Sequence, residues 1–171
     1  MKKYELVKED TIEINGATLY RIKALVDIGN TIKINDLGGY VESESNLSHD
    51  ENCWISGDAR VFENACVFEN ARVSCNACVF GNAHVYGNTI ISKNACVSGN
   101  TWIYEDAHIS GNSIIFGNAH IFGNAHIFGD AWVFGYAIVC EYACIFQNAR
   151  VSGNAHVSGT TWVYENTNIN S

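Results

Sequence analysis

The sequence predicts an all-β fold: a parallel β-helix of hexapeptide repeats behind a short N-terminal β-hairpin. Three observations predict it. Stepping by six from Ile55 to Ile169, every position is Val or Ile, without an insertion. From Val61 onward, the residue two places ahead of each aliphatic is Ala, Thr or Ser. Ahead of that small residue stands Asn or Asp, except at Tyr136, Tyr142 and Thr160, and Gly commonly comes before it.

Val and Ile are stiff at χ1 and suit strands, whereas an amphipathic helix would repeat its apolar residues every 3.6 positions and admit Leu. Residues two apart in an extended chain share a side, so the small residue and the aliphatic both point inward. Gly and Asn tolerate positive φ, so the Gly-Asn pair marks a corner. Each hexad is a short strand plus a corner. The absence of Pro fits a chain whose N–H groups are needed in ladders.

Residues 1–40 lack the repeat. There Thr11–Ile14, the Asn15-Gly16 turn and Thr18–Leu25 read as a hairpin that caps an otherwise open sheet edge. Residues 41–171 form the helix. Val41 and Leu47 are its first rungs, and the eight-residue step from Leu47 to Ile55 places a two-residue insertion around Ser48–Asn52. The chain closes on the polar run Asn166–Ser171.

Ten Lys and Arg against 18 Asp and Glu give a net charge of −8, which argues against a binder of nucleic-acid polymers but leaves room for a small anion held by single arginines. With neither an apolar run of membrane-spanning length nor a signal-peptide core after Met1, a soluble, cytoplasmic protein without a membrane partner is expected. Seven cysteines, an odd number, sit on repeat positions and read as reduced thiols. Cys75-x2-Cys78 and Cys140-x3-Cys144 have zinc-like spacing, but the repeat puts Cys75 at a corner and Cys78 on a strand. No metal and no cofactor is expected.

Function must lie outside the prism. The position after the inward aliphatic holds all eight Phe residues with Tyr86, Tyr104 and Tyr164, and the position before it holds all four Trp and five of the six His. Stacking residues 18 apart gives three faces. One carries Cys66, His84, Trp102, His120, Ile138 and His156 beside Phe68, Tyr86, Tyr104, Phe122, Cys140 and Ser158; it is the first candidate for a subunit interface. A second carries Arg60, Cys78, Cys96, Ile114, Trp132 and Arg150, and a third Trp54, Arg72, Ile90, His108, His126, Cys144 and Trp162. The adjacent pairs Trp54/Arg72 and Trp132/Arg150 each set an aromatic platform beside a guanidinium, suited to stacking a base and holding a phosphate. Trp102, Tyr86 and Tyr104, with His84 and His120, cluster where a subunit cleft would clamp a flat ligand. These nine residues are the candidate ligand-binding set, and no catalytic residue is assigned.

The 18-residue coil of three hexads, from Val41 to Ser171, resembles the hexapeptide-repeat proteins. That resemblance implies a left-handed β-helix of about seven coils and triangular section, and a homotrimer. It also brings in the γ-class carbonic anhydrases, whose shared zinc would map to His84, His120 and His126 of a neighbour. Their Gln six residues before the first His is replaced here by Cys78, and the Arg-Asp neighbourhood does not match. Hexapeptide acyltransferases have a protruding loop with a catalytic His and often a C-terminal helix, none of which is seen in this sequence; an acyltransferase-like enzyme is the alternative reading, and a purely structural scaffold the second. The segments Lys2–Leu6, Leu19–Ile22, Asp36–Val41, Asn46–Ser48 and Cys53-Trp54 resemble the leader of phage and prophage hexapeptide-repeat proteins. Phages encode oligomeric sponges that sequester nucleotide signals of host defence. The expectation is therefore a non-enzymatic phage-type binding protein in the host cytosol, holding a small nucleotide-like ligand at subunit clefts.

Overall fold

A computed structural model describes residues 1–171. Three strands open the chain: β1 (Tyr4–Ile14), β2 (Ala17–Ala24) and β3 (Leu37–Val41). From Trp54 onward each hexad contributes a strand of two or three residues, and the strands coil into a parallel solenoid with three faces. Residues 18 apart pair in register, as in Trp102↔His120 and Ile103↔Ile121. The face of Arg60, Cys78 and Trp132 is part of a ten-stranded sheet, that of Trp54, Arg72 and His108 is a seven-stranded sheet, and that of His84, Trp102 and His120 is a six-stranded sheet.

The interior follows from the repeat. The aliphatics from Ile55 to Ile145 and the Ala residues two places before them are 0–1% exposed and form one continuous core. Each fully buried Val or Ile contributes roughly 1.5–3 kcal/mol relative to exposure. At three of the five positions where Thr or Ser replaces Ala, the hydroxyl donates to the carbonyl three residues back: Thr89 to Tyr86 at 2.7 Å, Ser113 to Ser110 at 2.9 Å and Thr161 to Ser158 at 2.7 Å. Thr101 Oγ1 is buried without such a partner.

The corners differ from the expectation in one respect. Positive φ falls on the first corner residue, whether Gly87 (+74°) or Glu69 (+57°), and never on the Asn that follows. The Asn residues instead form amide ladders along the prism. Asn52 Nδ2 donates to Asn70, Asn70 to Asn88, and Asn88 to Asp106, at 3.2, 3.2 and 2.9 Å. A second runs Asn64–Asn82–Asn100–Asn118, and a third Asn76–Asn94–Asn112–Asp130. Two ladders end on Asp, which accepts but has nothing to donate. Glu at the strained corner position is offset by a second bond: Glu69 Oε2 accepts the Gly87 N–H one coil on at 2.9 Å, and Glu105 that of Gly123 at 2.8 Å. Gly87 must itself be small, because an added Cβ would come within 2.6 Å of the Glu105 backbone.

The N-terminal strands extend one face. β1 pairs antiparallel with β2, β2 with β3, and β3 runs parallel to Arg60–Val61. The hairpin is longer than the sequence suggests: an irregularity between Val7 and Thr11 carries β1 back to Tyr4 through Lys8-Glu9-Asp10, where charge hides the strand pattern. Those charges lie on the sheet's new outer edge and discourage pairing with another chain. Tyr4, Ile22, Ala24 and Ile28 join Val41 and Leu47 in the main core, so this segment closes the end of the prism. Gly38 and Gly39 permit the approach, since a Cβ would lie 2.5 Å from Ile22 and from the Ala59 carbonyl respectively. Val41↔Val61 and Leu47↔Val67 are 20 apart and Ile55↔Val73 is 18 apart, which puts the insertion between Leu47 and Ile55.

Candidate functional site

Because inner positions are filled by aliphatics and Ala, chemistry is confined to the outer columns, where rungs hold neighbouring side chains about 4.8 Å apart. Rings at that spacing stack. On the six-stranded face Phe68, Tyr86, Tyr104 and Phe122 form an unbroken pile with centroids 4.8, 5.2 and 4.9 Å apart and planes within 7°. Beside it Trp102 lies between His84 (4.6 Å) and His120 (6.3 Å), nearly parallel to both, and its indole is 39% exposed. Tyr86 meets that indole edge-on at 6.2 Å. Burial first, then Glu69 and Glu105, raise the Tyr86 phenol above its usual range, so it stays neutral and donating. Five of the nine candidate residues thus form one aromatic surface.

On the ten-stranded face the Arg150 guanidinium lies over Trp132, 5.0 Å from the ring centroid. Arg150 is exposed and has no carboxylate partner in the chain. Trp132 also meets the edge of Phe116 at 6.4 Å.

The pair Trp54/Arg72 needs a correction. Trp54 is 2% exposed, with the Tyr4 ring against it at 6.4 Å, because β1 and the insertion fold over this rung. Its faces are not open to a ligand. Arg72 reaches the Gly29 turn, and burial lowers its pKa, with Cys53 acting the other way.

His120 and His126 stand on different faces, so within one chain His84, His120 and His126 do not converge. Cys140 and Cys144 are likewise separated by a corner. No three metal-ligating side chains meet. Cys78 and Cys96 stack as adjacent free thiols, and burial, then Cys96, push the Cys78 thiol up to about 11.

Two clusters escaped the sequence reading. Cys140 Sγ lies 3.4 Å from His156 Nε2, on a diagonal between neighbouring columns. A spacing of 16 in an 18-residue coil was the available signal. At the N-terminal end Arg21 bonds Asp10 Oδ2 at 2.7 Å and the Gly38 carbonyl at 2.9 Å, while its guanidinium covers Tyr40 at 4.3 Å. That cluster ties the hairpin to the first rung.

Fold and surface together define a parallel β-solenoid repeat protein with aromatic outer ladders. Residues 146–165 match the family described as the YdcK beta solenoid repeat, a stretch that includes one coil's worth of the C-terminal repeats. No curated protein matches the chain.

Proposed function

We propose that this chain is a non-enzymatic binding scaffold that associates with copies of itself and holds a small, flat, anionic ligand of nucleotide type against its outer aromatic ladders. The observation that carries this reading is the exposed Arg150 guanidinium over Trp132 at 5.0 Å. A planar ring can stack on such a rung while the uncommitted charge takes a phosphate. The six-stranded face, with its continuous pile of rings, is the self-association surface, and a homotrimer is the assembly the repeat resemblance favours. The leader resemblance supports the finer form of the proposal, a phage-encoded sponge for a nucleotide signal of host defence.

Calorimetry and thermal shift with cyclic dinucleotides, ADP-ribose and acyl-CoA test the reading. At least one nucleotide is expected to raise the melting temperature, as ligand binding to the folded state must. Trp132→Ala or Arg150→Ala should each weaken it about tenfold, near 1.4 kcal/mol. Their outward side chains leave the core untouched, so both variants should melt like the parent. Turnover of acyl-CoA with no nucleotide binding would move the protein to the acyltransferase class.

A further inference from the structure

The ring column of the ten-stranded face reads Phe62, Phe80, Ser98, Phe116, Phe134. Phe62 and Phe80 stack at 5.1 Å with planes 6° apart, and Phe116 and Phe134 at 4.9 Å with planes 1° apart. Ser98 stands between the two stacks in unbroken register. Val79, Val97 and Ile115 pair as successive rungs, the Phe80 N–H donates to the Val97 carbonyl at 3.0 Å, and the Ser98 N–H to that of Ile115 at 2.9 Å. Its side chain therefore starts where a Phe would continue the ladder.

We infer that Phe80 and Phe116 form the two walls of a slot over Ser98 that takes one planar aromatic ring of a small ligand. The width follows from the repeat. Two rungs separate the walls, on the order of 10 Å, so a ring midway lies about 5 Å from each. That is the separation already found inside both stacks. Neither wall has turned to fill the space, since each ring stays parallel to its own partner in the chain. The other columns contain no equivalent: Phe68–Tyr86–Tyr104–Phe122 and Phe128–Phe146–Tyr164 are unbroken.

The surroundings select the occupant. The neighbouring column supplies Cys96 and Ile114, an uncharged flank, and the corner beyond Ser98 carries Gly99 between Gly81 and Gly117, with the Glu63 carboxylate held on the Gly81 N–H at 2.8 Å. The Ser98 hydroxyl offers a hydrogen bond to a ring heteroatom. An uncharged nitrogen heterocycle of purine or indole type meets these conditions. The inference rests on the binding reading above and names its ring subsite: the Phe116 wall touches Trp132, so a base in the slot lies one wall away from the Trp132–Arg150 pair on the same face.

The probes are indole, adenosine and AMP, followed by calorimetry and saturation-transfer NMR on the full chain. Ser98→Phe completes the ladder from within and is expected to melt at or above the parent temperature while weakening adenosine and indole at least tenfold. Ser98→Ala should retain most binding. If Ser98→Phe melts lower, Phe80→Leu is the second variant, keeping apolar bulk but removing one ring wall, and it should weaken both probes. Unchanged adenosine affinity in these ring variants overturns the slot, as does failure of the parent to bind either uncharged probe. AMP binding that survives Ser98→Phe but is lost in Arg150→Ala overturns the slot and leaves the binding scaffold standing. Adenosine binding lost in Ser98→Phe, with AMP no tighter than adenosine, supports the slot and removes the anion part of that scaffold. A changed assembly mass in Ser98→Phe with unaltered ligand affinity overturns the inference in favour of an aromatic side chain from a second copy.

Discussion

His108 and His126 are adjacent rungs whose rings lie 5.0 Å apart and 54° out of parallel, unlike the near-parallel phenyl ladders. Burial, then the neighbouring His126, lower the His108 pKa, and Asp106 opposes them. Unfolded His108 binds its proton at the ordinary value of 6.5, before the folded state does, so the contribution is complete above that pH and lost as pH falls through the folded value. An NMR titration should find the His108 midpoint below 6.5, and His126→Asn should raise it. A midpoint at or above that value would show that the pair does not interact as described.

At the scale of elements, the insertion between Leu47 and Ile55 depends on one buried cation. Lys3 is 4% exposed, and its Nζ donates to the carbonyls of Cys53 at 3.0 Å, Asp50 at 3.2 Å and Glu51 at 3.4 Å. The Trp54–Ile55 strand ends its sheet, so no preceding rung donates to these carbonyls, and the ammonium replaces the missing donors. Tyr4 adds a bond from its hydroxyl to the Leu47 carbonyl at 2.7 Å. Lys3→Met keeps the stem but removes the charge, leaving buried acceptors unsatisfied at about 1–3 kcal/mol. Chemical denaturation should show that loss, and hydrogen exchange should place the added opening in residues 47–55 and β1.

For the whole molecule, a core only a few side chains wide is repeated along the prism, so each coil rests mainly on its neighbours. The N-terminal segment closes one end, burying Trp54 and Phe62, and the outer rings beyond them remain at least partly at the surface along the faces. A contiguous aromatic surface of this kind is what association between copies would cover. If the six-stranded face is the interface, Trp102→Glu places a charge at its centre and should reduce the light-scattering mass of the assembly to that of one chain. A parent protein that is monomeric at every concentration would sink the self-association proposal.

The β-solenoid was legible because one inward aliphatic per six residues fixes both the strand and its register; once the coil length is 18, every outward column can be written down. Trp132 beside Arg150 and Trp102 between His84 and His120 were both determined that way. What only the tertiary structure decided lies where the repeat fails or where side chains cross columns. Trp54 occupies an outward position but is buried, because β1 folds back over its rung. The corner Asn residues bond along the prism instead of taking positive φ, because Gly or Glu ahead of them already makes the turn. Cys140 meets His156 because neighbouring columns touch diagonally. A periodic pattern specifies the repeating lattice, whereas long-range folding of the non-repeating segment and the rotamers on the outer rungs determine which outward side chains remain free to bind.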